Sequence, residues 1–165
     1  ETARLVMSSP PPPAGVFVLM TGLNDVRLNG PDAVERESYA DALGTIFAAF
    51  RRASPGALVL AVEQPYVSDY VGYEPFHRGS DGVLDAYNAT LRQVASQHSV
   101  RVGRIEGWNV EGMVSVDGVH PNDAGHRQLA QAVVDECLQS RWFTDQKAAP
   151  RSAASALRWA GRMSR

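Results

Sequence analysis

Val16-Phe17-Val18-Leu19-Met20-Thr21-Gly22-Leu23-Asn24-Asp25 decides the fold class. Its first five residues form an unbroken apolar run rich in β-formers, the pattern of a strand buried on both faces, as in a parallel sheet. The run ends at Gly22, where a sharp backbone turn is allowed. Asn24 and Asp25 then lie just past the strand's carboxyl end, which is where open α/β sheets build their sites.

Working outward, Pro31-Asp32 opens an amphipathic helix to about Arg52, with Asp32 as N-cap. Tyr39, Leu43, Ile46, Phe47 and Phe50 share one face of it. Ser54-Pro55-Gly56 stops that helix, and Ala57 to Val62 is a second apolar strand. A helix capped by Asp81 carries Leu84, Tyr87, Leu91 and Val94 on one side, and Val100 to Ile105 is a third strand. Asn122 caps a last helix from Asp123 to about Leu138, with Leu129, Val133 and Cys137 on its face. Strands alternating with helices imply right-handed crossovers and a three-layer α/β/α, flavodoxin-like parallel sheet. Upstream, Glu1 to Met7 reads as the end of a helix or strand, and Pro10 to Pro13 as an extended connector.

The 165 residues, 44% of them apolar, suit one domain with a real core. No apolar run approaches the length that spans a bilayer. The net charge of −2 argues against a nucleic-acid partner. The charge is uneven. From Lys147 onward there are five basic residues and no acid; setting those aside leaves 11 basic against 18 acidic residues, a net of −7. The expectation is a domain over residues 1–146 and a basic, flexible tail over 147–165, a candidate contact for a partner or an anionic surface. Cys137 is the single cysteine, so no intramolecular disulfide forms. No signal peptide is visible and the compartment is left open, with the true N-terminus expected upstream of Glu1.

Two short segments carry chemistry. In Gly22-Leu23-Asn24-Asp25 the Asn24 amide can donate to a developing oxyanion, while Asp25 suits a role holding the loop through backbone N–H groups. Alone, the tetrapeptide also fits a plain strand-to-helix turn. In Asp117-Gly118-Val119-His120-Pro121, His120 has the side chain suited to moving a proton near neutral pH. Asp117, three residues earlier across a tight turn, can reach back to the ring and fix its tautomer. An ordinary capped loop with a surface histidine fits the same residues. The loop from Gln64 to Gly79 is rich in aromatics, and Arg27, Tyr66, Tyr70 and Trp108 are candidate pocket residues, with Tyr73 beside them. Loop packing explains the aromatics equally well. His126 reads as a surface or helix-packing residue, His98 as a helix-end cation and His77 as part of the aromatic loop. No residues have zinc-ligand or phosphate-loop spacing, so no metal is expected.

Both segments occur at strand-to-helix junctions in the order found in the SGNH (GDSL-like) hydrolases, which this chain resembles from about Val16 to Leu138. The flanks Val-Leu-Met-Thr-Gly and Pro-Asn-Asp-Ala-Gly-His-Arg-Gln-Leu-Ala look like the family as well. The resemblance implies ester hydrolysis or acyl transfer on a small-molecule acyl or carbohydrate ester, without a cofactor. It makes Asn24 an oxyanion-hole donor supported by Gly22, His120 the general base, and Asp117 its orienting acid. One departure is plain: the family's Gly-Asp-Ser nucleophile block is nowhere in the chain. Ser8 and Ser9 abut polyproline without Gly-Asp before them, and Ser115 reads as loop packing. The first reading is therefore an esterase whose N-terminal strand and helix, with the serine, lie outside this chain. The alternative is a non-catalytic module that binds a ligand or partner through Asn24, Tyr66, Tyr70, Tyr73 and Trp108.

Overall fold

Helix α1 (Thr2–Ser8) leads through the proline run to strand β1 (Val16–Leu19). Helices α2 (Leu23–Asn29) and α3 (Ala33–Ala53) follow, then strand β2 (Leu58–Val62) and helix α4 (Asp81–Gln97). Strand β3 (Arg101–Gly103), helix α5 (Val110–Met113) and helix α6 (Asp123–Gln139) complete the order. The structure is a computed structural model that describes residues 1–140. The expected basic tail, 147–165, lies outside the described residues.

The three strands are parallel and ordered β1-β2-β3, with Val18 beside Leu60 and Leu60 beside Arg101. Every residue of β2 is buried, as the unbroken apolar run requires of a central strand. Alternation divides the sheet into two faces. Phe17, Leu19, Val59 and Ala61 pack with Leu43, Phe47, Leu84, Tyr87 and Leu91 of α3 and α4. Phe17 stacks on Phe50 with ring centroids 4.5 Å apart. On the opposite face α6 lies against β2 and β3, with Gly103 fitted close to Ala132 and Glu136 and to Leu60 of the sheet. Layers of helix, parallel sheet and helix are thus the observed architecture.

The second face is covered unevenly. Val18 is 46% exposed and Met20 38%, although Leu60, paired with Val18, is fully buried. Among the described residues, β1 has no partner on its outer edge.

Four local features differ from the sequence reading. Residues 23–29 form α2, a helix of under two turns bounded by Gly22 and Gly30 at positive φ, where turn-forming residues mask the helix. Val110–Met113 adds a single helical turn capped by Asn109. The cap of α4 is Ser80, whose hydroxyl accepts from the Val83 N–H, and Asp81 is the first helical residue. Strand β3 spans only Arg101–Gly103. No helix among the described residues is long and apolar enough to cross a membrane.

Candidate active site

Asn24 owes its position to two close-packed steps. Gly22, at φ 114°, turns the chain from the end of β1 into α2. A Cβ there would meet the Tyr39 hydroxyl at 2.7 Å, so Tyr39 of α3 seats the turn. The same hydroxyl donates to the Thr21 carbonyl at 3.4 Å. Asn24 falls in the first turn of α2 with its side chain in solvent, while Asp25 is half-buried. Burial pushes the Asp25 carboxyl above its ordinary value, against the pull of its own backbone N–H.

The second segment is a tight turn built around one carboxylate. Asp117 Oδ1 accepts from the Ser115 hydroxyl at 2.7 Å and from the N–H groups of Val119 and His120 at 2.9 Å each. Asp117 Oδ2 lies 2.7 Å from His120 Nδ1. The His120 N–H, the Val119 N–H, the Ser115 hydroxyl and the His120 ring together hold the Asp117 carboxyl well below the usual carboxylate range. A carboxylate on Nδ1 orients the ring and leaves Nε2 for a second partner. The His120 side chain is 77% exposed.

The turn is clamped from outside. Gly118, at φ 74°, gives its carbonyl to the N–H groups of Ser68 at 3.0 Å and Asp69 at 2.8 Å. The Ser115 N–H donates to the His120 carbonyl at 2.8 Å, closing the turn's base. Asn122 caps α6 through the Ala124 and Gly125 N–H groups and donates to the Gly112 carbonyl. The sequence reading missed Ser68, Asp69 and the Tyr39 seat, because each acts across a large separation along the chain.

Gly22, Asn24, Asp25 and His120 line one cavity of about 680 Å³, together with Phe76, His126 and Leu129. The two segments, nearly a hundred residues apart, therefore meet. The candidate pocket residues Arg27, Tyr66, Tyr70 and Trp108 are not in its lining. Tyr66 donates to Asp85, and Trp108 Nε1 to the Tyr66 carbonyl, both at 2.8 Å. Tyr70 packs against Gly79, and Arg27 is buried beneath the rings of Tyr73 and Phe76. His77 pairs with Glu74, and His98 packs against Phe47. No serine lines the cavity among the described residues; its hydroxyl-bearing residues are Thr2, Thr21 and Tyr39. No group of three or more His, Cys, Asp or Glu among the described residues is placed to hold a metal ion.

The family model of the GDSL-like lipases and acylhydrolases matches residues 4–128, a span that includes both segments. The chain belongs to the GDSL-like lipase/acylhydrolase family. Solved structures share its fold. An acetylxylan esterase from Geobacillus stearothermophilus is 20% identical with a TM-score of 0.55, the match covering 83% of this chain and 64% of that one. A carbohydrate esterase family 3 protein from Talaromyces cellulolyticus is 22% identical with a TM-score of 0.61, covering 83% and 62% respectively. A hydrolase from the metagenome of Lake Arreo, Spain, is 24% identical with a TM-score of 0.57, covering 84% and 67%. This GDSL-like chain thus spans a little under two thirds of the length of the two esterases. No curated protein matches the sequence.

Proposed function

We propose that residues 1–140 carry the proton-transfer and oxyanion part of a serine ester-hydrolase site, and that the nucleophilic serine comes from outside residues 1–165. The observation that carries this reading is that His120, held 2.7 Å from Asp117, lines the same cavity as Asn24. In the reaction, the serine hydroxyl attacks the ester carbonyl and its proton passes to His120 Nε2. The carbonyl oxygen becomes an oxyanion that accepts from the Asn24 amide. His120 then returns the proton to the departing alkoxide, leaving an acyl-serine. Water, activated by the same ring, releases the acid. An alcohol in place of water makes the step acyl transfer.

Two observations support an external serine. No serine lines the cavity among the described residues, and the Ser115 hydroxyl is committed to Asp117. The outer edge of β1 and its exposed Val18 and Met20 suit a further parallel strand. A residue at that strand's carboxyl end would enter the cavity beside Asn24. The substrates proposed are short acyl esters, acetylated carbohydrates among them, in keeping with the esterases that share the fold.

A cavity with no serine among its described lining residues also fits the second reading, a non-catalytic binding module. The two separate on turnover of 4-nitrophenyl acetate by the protein isolated from its native source. Turnover that disappears in His120→Ala supports the enzyme. A protein without turnover of short esters, or with turnover untouched by His120→Ala, is a binding module or a different catalyst.

A further inference from the structure

Arg27 is only 5% exposed, yet its Nε and Nη2 have no hydrogen-bond partner among the described residues. No acid lies within ion-pair distance of it among those residues. A buried guanidinium without a counter-charge is unfavourable and is normally paired. The carboxylates of the neighbouring loop are turned elsewhere: Glu74 holds His77, and Asp69 accepts from the Val71 and Gly72 N–H groups. What covers the cation is aromatic. The guanidinium carbon lies 5.6 Å from the Tyr73 ring centroid and 5.8 Å from that of Phe76. Rings stabilise the charge through their faces but leave the in-plane N–H groups unused.

The identity of the two open nitrogens is informative. Nε and Nη2 share one edge of the guanidinium, with parallel N–H vectors, and that edge grips a carboxylate through two hydrogen bonds. Its location links it to the cavity: Phe76 lines the space shared with Asn24 and His120, and the Tyr73 hydroxyl donates to the Asp117 carbonyl at 3.4 Å. Arg27 therefore stands one aromatic ring behind the cavity wall. Tyr73 is about half exposed, so the aromatic cover of the fork borders solvent on that side.

From these observations we infer that Arg27 is a carboxylate-binding residue, and that the esters bound in this cavity carry a free carboxylate away from the scissile bond. The substrate part of this inference rests on the esterase reading; the binding part does not. Phe76 and Tyr73 are the cage that holds the fork ready while the carboxylate is absent.

The test reads binding, so it needs no serine. The Nε–Hε resonance of Arg27 in 15N-arginine-labelled protein is followed while monomethyl succinate is added, with dimethyl succinate as the neutral match. A saturable downfield shift with the half-ester alone is expected. The half-ester also raises the melting temperature of the wild type but not of Arg27→Met. Without ligand, Arg27→Met melts at or above the wild type, because an apolar chain replaces an unpaired charge. Arg27→Lys, which keeps the charge and loses the fork, retains at most a small part of the shift in melting temperature. Equal response to both esters, or a half-ester effect that survives in Arg27→Met, overturns the inference. So does an Nε–Hε signal already at the bonded position before titration, since the fork would then hold an acid of the protein itself. Loss of esterase activity in a protein that still binds the half-ester through Arg27 would sink only the catalytic reading.

Discussion

Asp117 Oδ2 sits 2.7 Å from His120 Nδ1, while Asp117 Oδ1 takes three further donors from Ser115, Val119 and His120. One carboxylate thereby shapes the turn with one oxygen and orients the imidazole with the other. Asp117→Asn keeps the size of the side chain but places an amide against Nδ1, which favours the wrong tautomer. Loss of roughly 10⁴ in kcat of the active protein is expected, as for the aspartate of a serine-histidine-aspartate site. Steady-state kinetics on 4-nitrophenyl acetate check this, and a loss below about tenfold would remove Asp117 from the proposed role.

The depressed pKa of Asp117 also makes a stability prediction. Its folded value lies below its unfolded one, about 3.9, so the ionised carboxyl favours the fold above that pH. The contribution fades as pH falls from about 4 toward the folded value. Urea unfolding should show a stability gap between wild type and Asp117→Asn that narrows as pH falls below about 4. A gap that closes nearer neutrality would mean that the carboxyl is not held down by its four donors.

Asn24 is exposed and its side chain makes no hydrogen bond among the described residues, so Asn24→Ala should leave stability within about 0.5 kcal/mol. Its loss should appear in kcat instead, at about 3 kcal/mol of barrier, with KM little changed. A variant whose KM rises while kcat stands would assign Asn24 to ground-state binding.

Gly118 combines φ 74° with a close approach, since a Cβ there would lie 2.6 Å from Asp69 Cβ. Gly118→Ala forces the Ser68–Asp69 clamp apart or strains the turn, a cost of order 1–3 kcal/mol. The change is expected in thermal unfolding together with a fall in kcat, because the same turn carries His120. An alanine variant as stable and active as the wild type would contradict the clamp.

The core is legible in the sequence where pattern and environment agree. Ala57–Val62 reads as a strand because a central parallel strand is apolar on both sides, and Tyr39, Leu43, Ile46, Phe47 and Phe50 read as one helix face because all five enter the same buried cluster. Val16–Met20 also reads as a strand buried on both faces, but as the edge strand it leaves Val18 and Met20 exposed on one of them. Helix α2 is not legible, since its seven residues lie between two glycines that signal turns. Chain-distant relations are hidden too. Nothing near Gly118 announces the N–H groups of Ser68 and Asp69, and nothing near Arg27 announces that the loop from Gln64 to Gly79 will bury it. The sequence offers Arg27 as a pocket residue, and only tertiary folding shows it removed from water behind Tyr73 and Phe76.

A covalent label tests directly for a nucleophilic serine outside residues 1–165. The protein from its native source is treated with a fluorophosphonate, which phosphonylates an activated serine, and the labelled peptide is located by mass spectrometry. A single labelled serine outside residues 1–165, and no label in His120→Ala, is expected. A label on a serine within residues 1–165, or none on a protein that hydrolyses short esters, would contradict the external serine.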